Sequence, residues 1–307
     1  MVSHLLGSAI SILDGNLASS WNALKGRSGS FDTALPTVSS RATSVYSFKD
    51  VLGTGGNVVQ LYNSASTPNS RDFTATELTD GTYTSWYSSG DTLVTAMYDQ
   101  KTFVDLTATS SIAPKYDASE NMGLNYLYNP YTESFLRTTT NDSDINSTFG
   151  GNTVGQGATL FLNLKDHTFS PSSFVEGIFG IRDGSPTSML NDRHKALAIQ
   201  VGTQNIALSV KDDSYTGFQQ ISSNAVDGTL SNFTGVIKRA DATTTELNAY
   251  QASTEIIDAD TTTISANIEL EEIQLGHRQF RFQTAMLFAE ALSADDVATL
   301  NTEIDAL

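Results

Sequence analysis

The sequence predicts an all-β fold, a sandwich of two antiparallel sheets with an N-terminal helical arm and a short C-terminal helix. Runs of alternating or continuous apolar residues recur from residue 45 to near the C-terminus, separated by turn residues at intervals of about 8–12 residues. The chain has 307 residues, which suits one large β domain with additions at its ends, because sandwiches exceeding about 200 residues often form single domains.

The first 40 residues are predicted to form a helical arm and a linker, with the sandwich over residues 41–307. Apolar residues in this arm recur at helical spacing: Leu6, Ile10, Leu13, Leu17, Trp21 and Leu24. Such a narrow stripe suits packing on the chain's own sandwich as well as on a neighbouring subunit. Residues 26–40, GRSGSFDTALPTVSS, are small, polar and proline-bearing, which is typical of a linker.

Residues 45–100 supply three strand-forming pieces: VYSFKDVLGTGGNVVQLYNSAS, SRDFTATELTDGTYTSW and GDTLVTAMYDQ. The GTGG run at residues 53–56 predicts a turn. It lacks the second half of a phosphate-binding loop and a following helix, so it does not indicate a nucleotide site.

The second half of the chain repeats the pattern. Residues 137–157 are rich in Thr, Asn, Asp, Ser and Gly and are predicted to form a long loop. Strands are then expected at ATLFLNLKD, VEGIFGIRD, KALAIQVGT, NIALSVKDD and FTGVIKRAD, with a hairpin around residues 241–245. The segments ANIELEEIQLGHR and FRFQTAMLFAEAL are the last two predicted strands.

The C-terminal helix has the clearest local signal. Ser293 and Asp296 have the spacing of a capping box, and Leu292 and Val297 occupy the staple positions. A single apolar stripe is predicted along this helix, formed by Val297, Leu300, Ile304 and Leu307.

Composition excludes several classes of function. The formal charge is −17, from 34 acidic and 17 basic residues, and no cationic run interrupts it, so nucleic acid is not an expected partner. The chain has no cysteine, hence no disulfide and no thiolate nucleophile. No segment reaches the roughly 20 apolar residues of a membrane span, and the first residues do not fit a signal peptide, so membrane insertion is not expected.

Three short motifs in order resemble one known group of proteins. They are Val45-Tyr46-Ser47, Arg71-Asp72-Phe73 and Tyr98-Asp99-Gln100. Together with a closing L-S-x-x-D step, they resemble the concanavalin A-like lectin/glucanase superfamily, in the version shared by arabinofuranosidase B-type catalytic domains and by phage tail-fibre and virion structural proteins. The resemblance covers about residue 41 to the C-terminus.

This resemblance implies a concanavalin A-like jelly roll of two antiparallel sheets whose concave face and rim loops bind glycans in many members. The chain also departs from the pattern. It continues with KTFVDLTA at residues 101–108 instead of a loop rich in glycine and asparagine, and Met97 replaces a usual tryptophan. Enzyme members typically carry cysteine, which this chain lacks, so the fold is carried over and glycosidase activity is not.

Two carboxylates are candidates for glycoside hydrolysis, which needs a pair about 5–9 Å apart. Glu269 and Glu271 stand two apart in IELEEI, and alternation on a strand would place both on one face, about 7 Å apart. The segment is similar to the E-x-D-x-x-E strand of laminarinase-type enzymes, but the centre is glutamate and the third carboxylate, Glu272, comes one place early. A solvated strand face is the competing interpretation.

A structural calcium ion is a second hypothesis, with Asp142 and Asp144 of the NDSD run as candidate ligands. No run fits a twelve-residue calcium loop. These acids, like those of the DAD run at residues 258–260, are also typical of Asx turns.

Five aromatic residues are candidates for stacking on sugars. Trp86 and Tyr87 are adjacent, and Tyr126, Tyr128 and Tyr131 lie in one short segment. The alternative is that these rings fill the core and cover its rim.

The sequence therefore leads to three hypotheses of different classes. The first is a bacteriophage virion structural protein, a capsid-decoration or tail-fibre subunit. It would assemble in the host cytoplasm, contact copies of itself and other virion proteins, and touch host-surface glycans. The second is a glycoside hydrolase of the arabinofuranosidase type. The third is a free carbohydrate-binding module.

Overall fold

The structure is a computed structural model of the chain. It describes residues 37–65, 68–125, 127–129, 132–138, 143–149, 156–165, 176–182, 196–201, 206–211, 217–221, 230–241, 244–263, 270–276 and 280–307. Of the predicted arm and linker at residues 1–40, residues 1–36 lie outside the described residues, so the arm and its boundary stay predictions.

Within the described residues, six antiparallel strands form the first layer of the fold. With strands numbered in chain order, their spatial order is β18 (Thr254–Thr263), β17 (Thr244–Gln251), β16 (Ser231–Arg239), β11 (Gly157–Lys165), β20 (Phe280–Phe288) and β1 (Ser44–Ser47). The predicted hairpin around residues 241–245 is confirmed by the pairing of β16 with β17.

The second layer has ten strands in the part of the chain that the structure describes. Their order is β3 (Asn69–Thr74), β2 (Asn57–Asn63), β4 (Thr92–Met97), β5 (Leu106–Thr107), β10 (Phe135–Arg137), β19 (Glu272–Gly276), β12 (Glu176–Arg182), β13 (Ala196–Val201), β14 (Ile206–Lys211) and β15 (Gly217–Ile221). The hairpin of β6 (Lys115–Asp117) and β7 (Met122–Asn125) joins the layers, because β6 pairs with β4 and β7 pairs with β20. A separate pair, β8 (Leu127–Asn129) and β9 (Thr132–Glu133), lies beside them in sequence.

The main core lies between the two layers. On β11, Leu160 and Leu162 face this core, whereas Phe161 between them belongs to a second cluster on the opposite side. A Cβ added at Gly235 of β16 would lie 2.4 Å from Leu208 Cδ1 of β14, so the two layers are in direct contact. The predicted all-β sandwich is confirmed.

The C-terminal helix, α4 (Ala294–Asp305), covers the outer face of the first layer. Its capping box is present as predicted, with the Ser293 hydroxyl accepting from Asp296 N and the Asp296 carboxylate accepting from Ser293 N. Val297, Leu300 and Ile304 are buried in the second cluster. Leu307 is 50% exposed, so the stripe ends one turn earlier than predicted, because the helix itself ends at Asp305.

The start of the described chain is bonded to this helix. The Glu303 carboxylate accepts hydrogen bonds from Val38 N and Ser39 N, each 2.8 Å long. Arg41, the last residue of the 3₁₀ helix Ser39–Arg41, forms ion pairs of 2.7 Å with both Glu290 and Asp296.

Three sequence interpretations were wrong in detail. The strand β3 stops at Thr74, and two short helices, α1 (Ala75–Thr79) and α2 (Thr82–Trp86), follow, because Thr74 and Glu77 form a capping box. The predicted long loop contains the helix α3 (Ser143–Phe149), with Ile145 and Phe149 buried in the core. The DAD run lies on strand β18 and not in a turn. Within the described residues, no helix combines the length and hydropathy needed to cross a membrane.

Candidate functional site

The three motifs that carry the family resemblance contact one another at one edge of the sandwich. The Asp99 carboxylate is buried and accepts four backbone hydrogen bonds, from Val45 N at 2.8 Å and from Lys101, Phe103 and Val104 at 3.0, 2.9 and 3.2 Å. Burial raises the pKa of Asp99 above its ordinary value, although these N–H groups act in the opposite direction. Asp99 thereby fixes β1 against the loop that follows β4.

A cleft of about 550 Å³ lies beside this loop, and it is called the aspartate cleft here. Its polar groups are largely engaged within the protein. The Tyr98 hydroxyl donates to Asp72 Oδ1 at 2.7 Å, and Asp105 Oδ1 accepts from Asp99 N at 2.8 Å. Burial, followed by the bond to Asp72, raises the pKa of Tyr98. The motifs thus have a structural role at this edge.

A cluster of aromatic side chains stands behind a second, neighbouring cleft. Phe73, Tyr83 and Trp86 pack edge to face or tilted, with ring centroids 5.2–6.2 Å apart. Tyr83 also contacts the ring of Tyr116 at 5.0 Å, and Phe48 stacks on Tyr116 at 5.5 Å. The cluster extends the core to the surface at α2.

The second cleft, the tyrosine cleft, has a volume of about 390 Å³. Tyr87 stacks on Tyr83 with centroids 5.8 Å apart and planes 17° apart, and its side chain is 38% exposed. The Tyr87 ring is therefore partly covered by Tyr83 and partly open to solvent. The cleft is lined by Tyr83, Tyr87, Gly90, Asp91, Thr92, Lys115, Tyr116, Asp117, Ala118 and Leu124.

Local hydrogen bonds hold the Tyr87 ring in place. Its hydroxyl donates to Gly90 O at 3.0 Å. Gly90 has a backbone φ of +86°, a conformation that residues with a side chain rarely adopt. The next residue is fastened to Ser64 by three bonds: Asp91 N donates to Ser64 Oγ at 2.9 Å, and Asp91 O accepts from Ser64 N and Oγ. The loop is thus a preorganised support for an exposed ring.

The two deeper tyrosines remain neutral and hydrogen-bonded. The Tyr83 hydroxyl lies 3.0 Å from Thr92 Oγ1, and the Tyr116 hydroxyl donates to Asn121 Oδ1 at 2.8 Å. Burial raises the pKa of both phenols above the ordinary value. Their rings therefore form an uncharged wall.

Charged groups line the rim as ion pairs. Lys115 Nζ lies 2.9 Å from Asp91 Oδ2, whose side chain is 57% exposed. Asp117 Oδ2 lies 3.3 Å from Arg281 Nε, and Asp117 Oδ1 accepts from Ser119 N and Oγ. The cleft thus combines an open aromatic face with carboxylate acceptors at its edge.

The predicted aromatic residues have different positions. Tyr87 lines the tyrosine cleft, whereas Trp86 is partly buried behind it against the core. Tyr128 lies on β8, and Tyr126 and Tyr131 lie outside the described residues. The sequence analysis missed Tyr83, Asp91, Lys115 and Tyr116. The T-x-x-E capping box of Thr74 and Glu77 predicts the start of α1, whereas α2, which carries Tyr83, begins after Gly81 without a side-chain cap and so has no such signal.

The predicted carboxylate pair is only partly described. Glu269 lies outside the described residues, and Glu271 is half-buried just before β19 begins at Glu272. Glu272 is buried, and its Oε1 accepts from Arg182 Nε at 3.1 Å and from Nη2 at 2.8 Å. Arg182 is itself fully buried, so this acid is held as an ion pair.

The predicted calcium ligands also fall at the limit of the described chain. Asp142 lies outside it, and Asp144 is exposed in the first turn of α3. Among the residues that the structure describes, no group of three or more His, Asp or Glu side chains is placed to hold a metal ion. The calcium hypothesis stays a prediction.

No protein-family model matches this chain, and no curated protein matches it significantly. Solved structures do, at low identity. The botulinum neurotoxin serotype C1 binding domain is 9% identical, over 81% of this chain and 52% of that one, with a TM-score of 0.48. Trypanosoma rangeli sialidase is 8% identical, over 71% of this chain and 32% of the sialidase, with a TM-score of 0.48. The binding domain of Paraclostridial mosquitocidal protein 1 is 12% identical, over 66% and 52%, with a TM-score of 0.40.

The chain thus spans about half of the toxin domains and a third of the sialidase. At these scores, nothing about ligand or activity follows from the likeness.

Proposed function

We propose that this protein is a recognition protein without catalytic activity and that its sandwich binds glycans at the tyrosine cleft. One observation carries the proposal: Tyr87 is stacked on Tyr83 and still exposes more than a third of its surface. Among the described residues, Tyr87 is the only exposed large aromatic side chain.

A sugar matches the chemistry of this cleft. The apolar C–H face of a pyranose can cover an aromatic ring and remove apolar surface from water. The hydroxyl groups at the edge of the same sugar need hydrogen-bond acceptors, and the Asp91 carboxylate stands at the rim. Because the loop carrying Tyr87 is already fixed, binding needs little further ordering.

A glycan array followed by titration calorimetry tests the proposal. The wild-type protein is expected to bind a subset of glycans, and Tyr87→Ala to abolish that binding without lowering the melting temperature. Tyr87→Phe retains the ring and is expected to retain most of the affinity. The matched control is Tyr98→Ala in the aspartate cleft, which should leave binding intact. Binding that survives Tyr87→Ala and disappears in Tyr98→Ala would assign the function to the other cleft.

We further propose that the sandwich belongs to a bacteriophage particle, as a capsid-decoration or tail-fibre subunit. The support is the ordered resemblance of the three motifs, together with the predicted arm in residues 1–40 as a means of attachment to other virion proteins or to copies of the chain. Assembly would occur in the host cytoplasm. Deleting residues 1–36 should change the sedimentation coefficient of the assembled protein and leave the sandwich folded. An unchanged sedimentation profile would exclude the arm as the assembly element.

The hydrolase hypothesis has less support. Glu272, the buried acid of the IELEEI segment, is held in an ion pair with Arg182 at 2.8 Å, which is an arrangement that stabilises the fold. Hydrolysis of aryl arabinosides that is lost in Glu269→Gln or Glu271→Gln would support the hydrolase hypothesis.

Glycan binding by the tyrosine cleft is expected to persist in EDTA, because the hydrogen-bond acceptors of this cleft are side chains of the protein.

A further inference from the structure

We infer that the tyrosine cleft selects uncharged, hydroxyl-rich sugar residues and rejects sugars that carry a carboxylate, with Asp91 as the group that decides between them. This inference rests on the proposed glycan-binding function and adds the class of ligand to it.

The charges that line the cleft favour this selection. Asp91 and Asp117 are the acidic lining residues, and Lys115 is the basic one among the described residues. Lys115 is already paired with Asp91 at 2.9 Å, and Asp117 with Arg281 at 3.3 Å. An acidic sugar at the ammonium group would have to share it with the Asp91 carboxylate, and the two like charges would repel each other in a chain of net charge −17.

The hydrogen-bonding capacity that remains points the same way. Asp91 uses Oδ2 for Lys115, and Oδ1 has no partner among the described residues. An ionised carboxylate only accepts hydrogen bonds, so a ligand group that binds to Oδ1 must be a hydrogen-bond donor. A sugar hydroxyl supplies one, whereas a carboxylate on the sugar does not. Asp117 is more fully engaged, because its second oxygen accepts twice from Ser119.

The position of Asp91 relative to the aromatic ring is fixed. Asp91 follows Gly90, whose carbonyl accepts from the Tyr87 hydroxyl, and the Asp91 backbone is bonded to Ser64. The ring and the acceptor therefore belong to one rigid loop. The edge of a sugar that stacks on Tyr87 would therefore face the Asp91 carboxylate. Asp91 would then contact the substituents of the sugar and discriminate between them.

Matched pairs of ligands test the inference. Methyl glycosides of glucose, galactose and mannose are compared with methyl glycosides of the corresponding uronic acids. Each pair differs only in that a carboxylate replaces the hydroxymethyl group at C6, and binding is measured by saturation-transfer NMR and calorimetry. The neutral member that binds best is expected to exceed its uronic acid at least tenfold in affinity at low salt. The ratio should shrink as the ionic strength rises, because the repulsion between exposed charges is screened.

The variant Asp91→Asn is expected to bind the neutral sugar severalfold more weakly. The ratio of the affinity for the neutral sugar to the affinity for its uronic acid should come close to one. The control is Asp295→Asn in the exposed first turn of α4, which makes the same change of charge outside the cleft and should alter neither value. Thermal melting checks that both variants remain folded.

The outcomes separate the two proposals. If no glycan binds to the wild-type protein, the proposed function and this inference both fall. If glycans bind and Tyr87→Ala abolishes the binding, but uronic acids bind as well as neutral sugars, the function stands and the inference is overturned. An unchanged ratio in Asp91→Asn also overturns it.

Discussion

Replacing Asp99 with asparagine tests whether the motifs shared with the resembled family act as a structural fastening. The carboxylate accepts two backbone N–H groups on each oxygen. Asparagine retains one acceptor oxygen and turns an NH₂ group towards the other two donors. Two hydrogen bonds to a charged acceptor are then lost, at about 1.5–3 kcal/mol each.

Part of this loss is recovered, because the neutral amide no longer bears the desolvation of a buried carboxylate, the same effect that raises the pKa of Asp99. The net cost is therefore expected to be about 3 kcal/mol, a large fraction of the roughly 5–15 kcal/mol that stabilises most domains.

Urea denaturation followed by circular dichroism measures this cost. The matched control is Asp50→Asn, since the Asp50 carboxylate also accepts two backbone hydrogen bonds, from Thr54 N and Gly55 N at 2.8 Å, but in an exposed loop. Water can replace those bonds, so the control is expected to lose less than about 1 kcal/mol. Equal losses in the two variants would refute the reasoning, because burial would then have no effect.

Three further perturbations address other parts of the fold. Glu272→Gln is expected to cost about 3–5 kcal/mol in urea denaturation, because it removes the carboxylate charge that faces the buried Arg182 guanidinium at 2.8 Å; a cost below 1 kcal/mol would contradict this. Gly235→Val should cost about 1–3 kcal/mol, since even a Cβ there would lie 2.4 Å from a leucine of the opposite layer; an unchanged melting temperature would show that the layers can separate. The hydrogen bond from Arg41 holds the pKa of Asp296 below its usual value, so this pair stabilises the fold above about pH 4 and the contribution disappears as the pH falls through the lowered pKa. Arg41→Ala, which removes the pairs with Asp296 and Glu290, should therefore lower the free energy of unfolding at pH 7 by less than about 1 kcal/mol, because the groups are partly exposed, and the loss should shrink towards pH 2; a loss that persists undiminished at acid pH would refute the pairing.

The fold class could be predicted from the sequence because short runs that alternate or stay apolar recur between turn residues, and because Ser293 and Asp296 mark the final helix by local chemistry alone. The short helices could not be found by apolar periodicity. The helix α2 has five residues, too few to establish a helical period, and a capping box is the only local sign of the pair.

The candidate site was predicted only in part, for a related reason. Tyr87 was identified from its neighbour in sequence, whereas Tyr116 and Lys115 come from strand β6, which reaches the cleft through pairing with β4. Such a long-range pairing leaves no signature in the local sequence. Trp86 and Tyr87 were named together from the sequence, but which of the two rings would face outward depended on how α2 packs against Phe73.

The contact between Glu303 and the amides of Val38 and Ser39 has a mechanical consequence. The first described residues and the last turn of α4 lie side by side. A force that pulls the two ends of the sandwich apart would therefore first break the hydrogen bonds of Glu303, before it could slide the strands past one another. A circularly permuted chain, with Leu307 joined to Thr37 by a few glycines and new ends opened in a surface turn, should for the same reason fold to the same sandwich.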